Sequence, residues 1–190
     1  MSTRKTQGAA AGRLISRQIV MNRVTTRVPA DAPGEAGGAE PAWNLPGVCA
    51  RARLQTSFGT VPTNLIRKGD PVRVDGGTYR PVRAVREYRF DADFLAQRPE
   101  ALPVALRSAS ADAVDPAALV LLSPAQRLLV GGSPGDAACR LVCARDLGAA
   151  ASPPETEGET LTYYRFLFED TVALWVEGLW LECPRPAEGC

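Results

Sequence analysis

No histidine occurs among the 190 residues of this sequence. Histidine is the commonest general base at neutral pH, the usual partner of a nucleophilic Ser or Cys, and the commonest zinc ligand. Its absence excludes a histidine-containing catalytic triad and leaves no pattern typical of a zinc site. We therefore expect neither a metal nor any other cofactor.

Long apolar runs are also missing. No run approaches the roughly 18 consecutive apolar residues that a membrane-spanning helix needs. No continuous apolar stretch of about 7 to 15 residues marks a secretory signal peptide. The sequence therefore predicts a soluble chain without a membrane span. The cytoplasm is its default location, and export by a route that needs no such signal is the alternative.

The five cysteines show no metal or disulfide pattern. Their number is odd and no two of them form a CxxC pair, which disfavours both a disulfide framework and a four-thiolate zinc site. Cys139 and Cys143 would share a face in a helix, but the string ACRLVCA alternates like a buried strand. We expect these two side chains to be ordinary apolar fillers.

A strong net charge is absent, since the formal value is +1. The chain as a whole has no electrostatic bias toward nucleic acid or anionic membranes. The charge is nevertheless uneven, because residues 1–28 carry six basic residues and no acid, whereas residues 29–47 are rich in Pro, Gly and Ala. We interpret the first segment as a basic N-terminal extension and the second as a flexible linker.

Apolar residues recur with helix-like spacing in the basic extension, at Leu14, Ile15, Ile19 and Val20. This pattern fits a targeting segment or a nucleic-acid-binding tail, and it also fits a frayed, weakly helical extension, which we favour. A weak electrostatic partner is the only partner that these residues predict. Nothing points to a particular host or partner protein.

Short apolar strands alternate with turn residues beyond the linker. In PVRVDGGTYRPVRAV, Val72 and Val74 alternate with an arginine, and Asp75-Gly76-Gly77 marks a tight hairpin. Few stretches are long enough for a helix of three turns, although Asp115-Pro116 is typical of a helix start. The pattern predicts an all-β domain over residues 48–184 with one or two short helical turns, followed by a C-terminal tail, residues 185–190.

Four blocks of the sequence follow one another in a fixed order. They are CARARLQTSFGTVPTNLIRKGDPVRV from Cys49, GGTYRPVRAVREY from Gly76, LVLLSPAQRLLV with LVCARDL from Leu119, and TYYRFLFEDTVALWVEGLWLECP from Thr162. Their order and spacing resemble the Hint family, the Hedgehog/intein autoprocessing domains, in the bacterial form that often stands alone. The resemblance covers about Val48 to Pro184. It implies a flat horseshoe of intertwined β-hairpins, which agrees with the strand pattern.

The resemblance implies a nucleophile at Cys49. In this family the first Cys or Ser attacks the carbonyl of the preceding residue and converts a peptide bond to a thioester or ester. The bond at risk would be Val48–Cys49, and a cysteine is the best nucleophile in this part of the chain. Counting back from Gly69-Asp70, however, the family's nucleophile falls two or three residues before Cys49. The assignment therefore requires a shortened loop.

The same resemblance assigns residues to the proton transfer. Gln126 stands where the family has the histidine that protonates the departing amide nitrogen, and Ser123 occupies the hydroxyl position of the same turn. Neither side chain titrates near pH 7. Thr171 stands where the family often has a further histidine, and the His-Asn pair that inteins use is absent, so complete splicing is not expected. The acids of the matched blocks sit at predicted turns and are expected to be solvated, namely Asp70, Asp75, Glu169, Asp170 and Glu177.

Two functions remain open. The first is autoprocessing by an N–S acyl shift at Cys49 and thioester hydrolysis, weakened because both histidine positions are lost. The second is a non-catalytic structural or interaction module that keeps the Hint scaffold. Ser123 and Gln126 are correspondingly either residues of a residual site or residues of a hairpin turn kept for shape. Neither function predicts turnover of an external substrate.

Overall fold

The computed structural model describes residues 43–107, 119–151 and 160–185. Several predictions fall outside these ranges: the basic extension, residues 29–42 of the linker, the single helical turn at Asp115 and residues 186–190 of the tail. Within the described part of the chain, no helix is long and apolar enough to cross a membrane.

Strands dominate the described residues. The strands are β1 (Val48–Cys49), β2 (Arg53–Thr56), β3 (Gly59–Pro62), β4 (Pro71–Arg73), β5 (Tyr79–Pro81), β6 (Ala84–Asp91), β7 (Val104–Arg107), β8 (Leu119–Leu122), β9 (Arg127–Val130), β10 (Arg140–Cys143), β11 (Ala149–Ala150), β12 (Thr160–Leu167), β13 (Val172–Val176) and β14 (Leu179–Cys183). One short α-helix, α1 (Ala92–Gln97), follows β6, and the described 3-10 turns span Thr63–Leu65, Asp75–Gly77, Pro99–Ala101 and Ala144–Asp146. The all-β prediction is confirmed.

The strands form two antiparallel sheets. The first has six strands in the order β11, β7, β8, β1, β12, β6. The second has eight strands in the order β10, β9, β14, β13, β2, β4, β5, with β3 paired to β2. β10 therefore lies at a sheet edge, and its Leu141 is exposed. The expectation of a buried strand around Cys143 is wrong in this respect, because one side of β10 has no neighbouring strand among the described residues.

The hairpin of β13 and β14 closes the core. Its two turn residues, Glu177 and Gly178, have positive φ angles of 46° and 84°. Two consecutive positive φ angles are what a tight two-residue hairpin turn requires, because they match the right-handed twist of the strands. The hairpin places Val172 opposite Cys183, so β14 runs back along β13 and its last residue, Cys183, is buried.

Two apolar clusters stabilise the fold. The first cluster contains residues of both sheets, including Val48, Leu122, Leu174 and Leu181. The second cluster consists of Cys49, Leu95, Ala101, Leu161 and Tyr163, with Trp43, Tyr88 and Phe90 packed against it. Successive side chains of a strand point to opposite faces of its sheet. For this reason the adjacent residues Val48 and Cys49 of β1 belong to different clusters.

Candidate functional site

The Cys49 thiol lies in the second apolar cluster. β1 runs between β8 and β12, and Cys49 is paired with Tyr163. The residue is only 2% exposed, among Leu95, Leu161 and Tyr163. Burial raises the pKa of the thiol to about 12, because an apolar surrounding disfavours the charged thiolate. At neutral pH the group is therefore a protonated, weakly nucleophilic thiol.

A buried hydroxyl fixes the backbone that follows Cys49. The Oγ1 of Thr63 lies 2.8 Å from the carbonyl oxygen of Cys49, 3.1 Å from that of Ala50, and within hydrogen-bond distance of that of Ala52. The hydroxyl has one proton, so it donates to one of these acceptors at a time. Thr63 is fully buried. Sequence reasoning missed this residue, and its only signal is a threonine at the start of a short turn.

Ser123 fastens the segment that precedes β1. Its hydroxyl donates to the carbonyl oxygen of Leu45 and accepts from the indole Nε1 of Trp43 at 2.8 Å and from the backbone N–H of Ala125 at 3.3 Å. The residue is fully buried. Two of these contacts join the SPAQ turn, Ser123–Gln126, to Trp43 and Leu45, and the third, with Ala125, lies within the turn. The Ser123 hydroxyl is therefore already engaged with the protein itself.

We call the contacts between the SPAQ turn and residues 43–45 the clasp. Trp43 and Arg145 also take part in it, and the sequence analysis predicted a role for neither residue. The carbonyl oxygen of Trp43 accepts from the guanidinium of Arg145 at 2.8 Å. The indole ring lies edge-on to Phe90, with ring centroids 5.3 Å apart, and also contacts Phe94 and Tyr163. A lone tryptophan within a Pro/Gly/Ala-rich segment was the available signal, since such a large apolar side chain is costly to leave in water.

Gln126 ties the SPAQ turn to the closing hairpin. Its Nε2 donates to the carbonyl oxygen of Arg127 at 2.9 Å and to that of Glu182 at 3.0 Å. The side chain is 4% exposed. Its backbone is also bonded, because its N–H donates to Ser123 and its carbonyl accepts from Ala144. Both N–H groups of the Gln126 side-chain amide are therefore engaged in hydrogen bonds within the protein.

A narrow cavity adjoins the Gln126 side chain. Its lining includes Pro46, Val48, Gln126, Cys183 and Pro184. The cavity measures about 10 Å³, which is roughly the volume that one water molecule needs. The peptide segment before Cys49 thus passes Gln126, but the space beside it is too small for a reacting group larger than water.

The structure does not bring the Cys49 thiol to Gln126. Val48 lines the Gln126 cavity, whereas the next side chain, Cys49, points to the opposite face of the sheet and packs in the second cluster. Ser123 and Gln126 lie in one turn, which is not a hairpin because the strands on either side of it, β8 and β9, belong to different sheets. The Ser123 hydroxyl binds the Trp43 indole and the Leu45 carbonyl, and the Gln126 amide binds the carbonyls of Arg127 and Glu182. The four predicted site residues therefore do not converge.

Gly47 occupies one of the two positions where the register count places the family's nucleophile. It is buried beside Tyr163, and its carbonyl oxygen accepts from the backbone N–H of Ser123 at 2.9 Å. A Cβ added at Gly47 would lie 2.8 Å from the Cβ of Tyr163. The other position is Pro46, which lines the Gln126 cavity. Neither residue carries a nucleophile, and Gly47 leaves no room for one.

Thr171 lies at the surface beside Arg185. Its Oγ1 accepts from the backbone N–H of Arg185 at 3.1 Å, and the residue is exposed. The adjacent Val172 pairs with Cys183, which places Thr171 beyond the lining of the Gln126 cavity. Its contact orders the chain after β14.

Four of the five turn acids, Asp70, Asp75, Glu169 and Asp170, are exposed or half-buried, whereas Glu177 is buried. Asp70 accepts from the backbone N–H of Arg67 at 2.8 Å, Asp75 accepts from that of Ala173 at 3.1 Å, and Asp170 faces Arg80 at 3.8 Å. Glu177 is only 6% exposed. The prediction that all five acids are solvated is therefore wrong for Glu177, because the tight turn after β13 holds it inside. No group of three or more His, Cys, Asp or Glu side chains within the described ranges is arranged to hold a metal ion.

Ser123→Ala is expected to destabilise the protein by about 1 to 2 kcal/mol, because the indole of Trp43 and the carbonyl of Leu45 lose their partner in a buried place. Urea denaturation measures the loss in the free energy of unfolding. Thr171→Ala is the matched control, since it removes an exposed hydroxyl and should change stability by less than about 0.5 kcal/mol. Equal stability of Ser123→Ala and the wild type would contradict the clasp.

Comparison with protein families identifies the family of this chain. Residues 46–188 match the family model described as the Hint domain. No curated protein and no solved structure matches the chain. The matched range includes β1, the SPAQ turn and the closing hairpin of β13 and β14.

Proposed function

Because this chain belongs to the Hint domain family, we propose that it is a Hint scaffold that does not process itself and acts as a structural or interaction module. One observation carries the proposal. The position that the family resemblance assigns to the proton-transferring histidine is Gln126, whose amide donates to two backbone carbonyls. The chain holds no histidine that could replace it.

The state of the nucleophile supports the proposal. An N–S acyl shift would need the Cys49 sulfur to attack the Val48 carbonyl carbon, forming a thioester and releasing the Cys49 amine. With a pKa of about 12, only about one thiol in 10⁵ is ionised at pH 7. The thiol also packs on the face of β1 away from Gln126. Attack and proton transfer would therefore have to occur on opposite sides of the strand.

The missing acid adds a second cost. The departing amide nitrogen must receive a proton, and a carboxamide does not titrate near pH 7. A positioned acid or base typically accelerates such a step by about 10²- to 10⁴-fold. Because the acid is missing and the Cys49 thiol is protonated, both steps of the reaction are slowed, which favours an inactive domain.

Weak self-cleavage at Cys49 is the second candidate function. Family membership is the observation that favours it, because the family resemblance implies an N–S acyl shift followed by thioester hydrolysis. In this case the domain would release the peptide before Cys49 slowly, without acting on an external substrate.

The intact mass of the purified full chain separates the two functions. We expect the mass to stay unchanged over days at pH 7 to 8, with and without hydroxylamine or a thiol, because the Cys49 thiol is buried and protonated. The matched variant is Cys49→Ala, which cannot form the thioester. A new N-terminus at Cys49 in the wild type and its loss in Cys49→Ala would overturn the proposal.

Gln126→His tests whether the missing acid alone explains the inactivity. We expect no cleavage, because the imidazole would still lie on the opposite face of β1 from the Cys49 thiol. We also expect a loss of about 1 to 2 kcal/mol in the free energy of unfolding, because a neutral imidazole has one N–H donor for two buried carbonyls. Intact mass and urea denaturation measure the two effects.

Gln126→Leu serves as the control for that variant. It has neither an acid nor a donor, so it should be at least as destabilised as Gln126→His and equally uncleaved. Cleavage at Val48–Cys49 in Gln126→His alone would refute the geometric argument, because it would place the imidazole within reach of the reacting bond.

A further inference from the structure

β6 lies at the edge of the described six-stranded sheet. It is the last strand of the six-stranded sheet and pairs with β12 over all eight of its residues. Among the described residues, none forms a backbone hydrogen bond along its other side. An unpaired edge of this length is a template for another strand. The side chains of β6 decide which strand can pair with this edge.

The neighbouring helix leaves this edge open. α1 begins directly after β6, where the Asp91 carboxylate accepts from the backbone N–H of Phe94 at 2.8 Å. Its buried residue Leu95 packs with Cys49 and Leu161. Those residues belong to β1 and β12, so α1 covers the face of the sheet and not its edge.

Two charges of β6, those of Glu87 and Arg89, are complementary to those of an identical strand. Arg86, Glu87, Arg89 and Asp91 are exposed, while Tyr88 and Phe90 are half-buried. The guanidinium of Arg89 lies 2.9 Å from the carboxylate of Glu87, which shows that both side chains leave the strand on the same face. Charges on an edge usually prevent pairing with arbitrary strands. They permit pairing with a strand that opposes each charge by its opposite.

Symmetry limits the registers in which two copies of β6 can pair. In an antiparallel pair, hydrogen-bonded and non-hydrogen-bonded positions alternate. A two-fold axis between identical strands must therefore pass between a residue and the same residue of the second copy. Registers centred on Arg86, Glu87 or Arg89 place like charges opposite each other, which is unfavourable. Registers centred on Val85 or Phe90 overlap by only three positions within the strand.

The register centred on Tyr88 remains. It places Glu87 opposite Arg89 of the second copy, and Arg89 opposite Glu87 of the second copy. It also brings the two Tyr88 rings together and sets Arg86 opposite Phe90, a cation beside an aromatic ring. The overlap covers positions 85 to 91, nearly the whole strand.

We propose that the chain forms a two-fold symmetric dimer in which β6 pairs with β6 of a second copy, centred on Tyr88. The dimer joins the two six-stranded sheets into one continuous sheet. A closed two-fold contact of this type uses the same surface on both copies. β12 separates β1 from β6, so the Val48–Cys49 bond lies outside the contact and the dimer is independent of whether the domain processes itself.

Charge reversal on the full-length chain tests the dimer. Sedimentation velocity over a range of concentrations should show the wild type as a dimer in exchange with monomer. Glu87→Arg and Arg89→Glu should each weaken association at least tenfold, because each replaces two attractive contacts by two repulsive ones. Circular dichroism verifies the fold, which these exposed substitutions should leave intact. Arg140→Glu, on the edge strand β10 of the other sheet, is the matched control and should dimerise like the wild type.

Two rescue experiments fix the register. An equimolar mixture of Glu87→Arg and Arg89→Glu should form a heterodimer, because every opposed pair is again of unlike charge. The double variant Glu87→Arg/Arg89→Glu should recover the homodimer for the same reason. A wild type that stays monomeric at all concentrations would overturn the proposal. So would a dimer that neither reversal weakens, or the failure of both rescues.

Discussion

The Cys49→Ala variant is expected to lose less stability than the wild type as the pH rises above 9. Burial raises the pKa of the Cys49 thiol from 9.0 to about 12, so between these values the unfolded chain releases the proton while the folded chain keeps it. Stability then falls as the pH rises, because the folded state binds more protons. The thiol's contribution is fully present below pH 9. It decreases by about 1.4 kcal/mol per pH unit until about pH 12.

The measurement is the difference in the free energy of unfolding between the wild type and Cys49→Ala, from pH 8 to pH 11. This difference should shrink with the stated slope above pH 9. Cys183→Ala should show a similar slope, since burial also raises the pKa of the Cys183 thiol to about 12. Leu95→Ala is the control, because it opens a cavity in the same cluster without removing a titratable group. A pH-independent difference for Cys49→Ala would show that the thiol is hydrated in the folded protein.

The same burial links stability to function. A thiol that costs several kcal/mol to ionise in the folded state is a poor nucleophile for the Val48 carbonyl. Conditions that ionise Cys49 are also those that destabilise the fold. Any cleavage at Val48–Cys49 near pH 12 is therefore expected to follow unfolding.

Gly47→Cys is expected to lower the free energy of unfolding by about 3 kcal/mol and to gain no cleavage activity. The new Cβ would lie 2.8 Å from the Cβ of Tyr163 and 3.4 Å from the carbonyl oxygen of Tyr164. The Tyr163 Cβ is held by its own strand, so relief requires movement of β1 or β12, and overpacking of this kind typically costs about 1 to 3 kcal/mol. Urea denaturation and intact mass report the two outcomes.

Gly47→Ala distinguishes the steric effect from the chemistry of the thiol. Both variants add the same Cβ, so both should lose similar stability. A Gly47→Cys variant as stable as the wild type would show that β1 can move away from β12. Cleavage after residue 46 in Gly47→Cys alone would show that this position is a usable nucleophile site. That result would replace Cys49 by position 47 in the alignment with the family.

The polar side chains of the SPAQ turn have a structural explanation. The Ser123 hydroxyl binds Trp43 and Leu45, and the Gln126 amide donates to the carbonyl of Glu182 in β14. Both side chains therefore stabilise the fold whether or not the domain cleaves itself.

The sequence by itself determined the fold class, the family resemblance and the absence of a histidine acid. Hairpin turns and strand alternation are local patterns, so the antiparallel all-β fold was readable from residues such as Asp75-Gly76-Gly77. The absence of histidine is a property of composition, and it limits the proton-transfer chemistry in whatever way the chain folds.

Only the tertiary structure decided the side of β1 on which Cys49 lies and the partners of Gln126. β1 is two residues long, so it has no periodicity that could reveal which side chain faces which cluster. The decisive contacts join distant residues, 80 positions apart for Trp43 and Ser123 and 56 for Gln126 and Glu182. The burial of Glu177 likewise follows from how the closing hairpin packs. Contacts of this separation depend on which strands become neighbours in a sheet, here β1 beside β8 and β9 beside β14, and a local sequence pattern does not encode that choice.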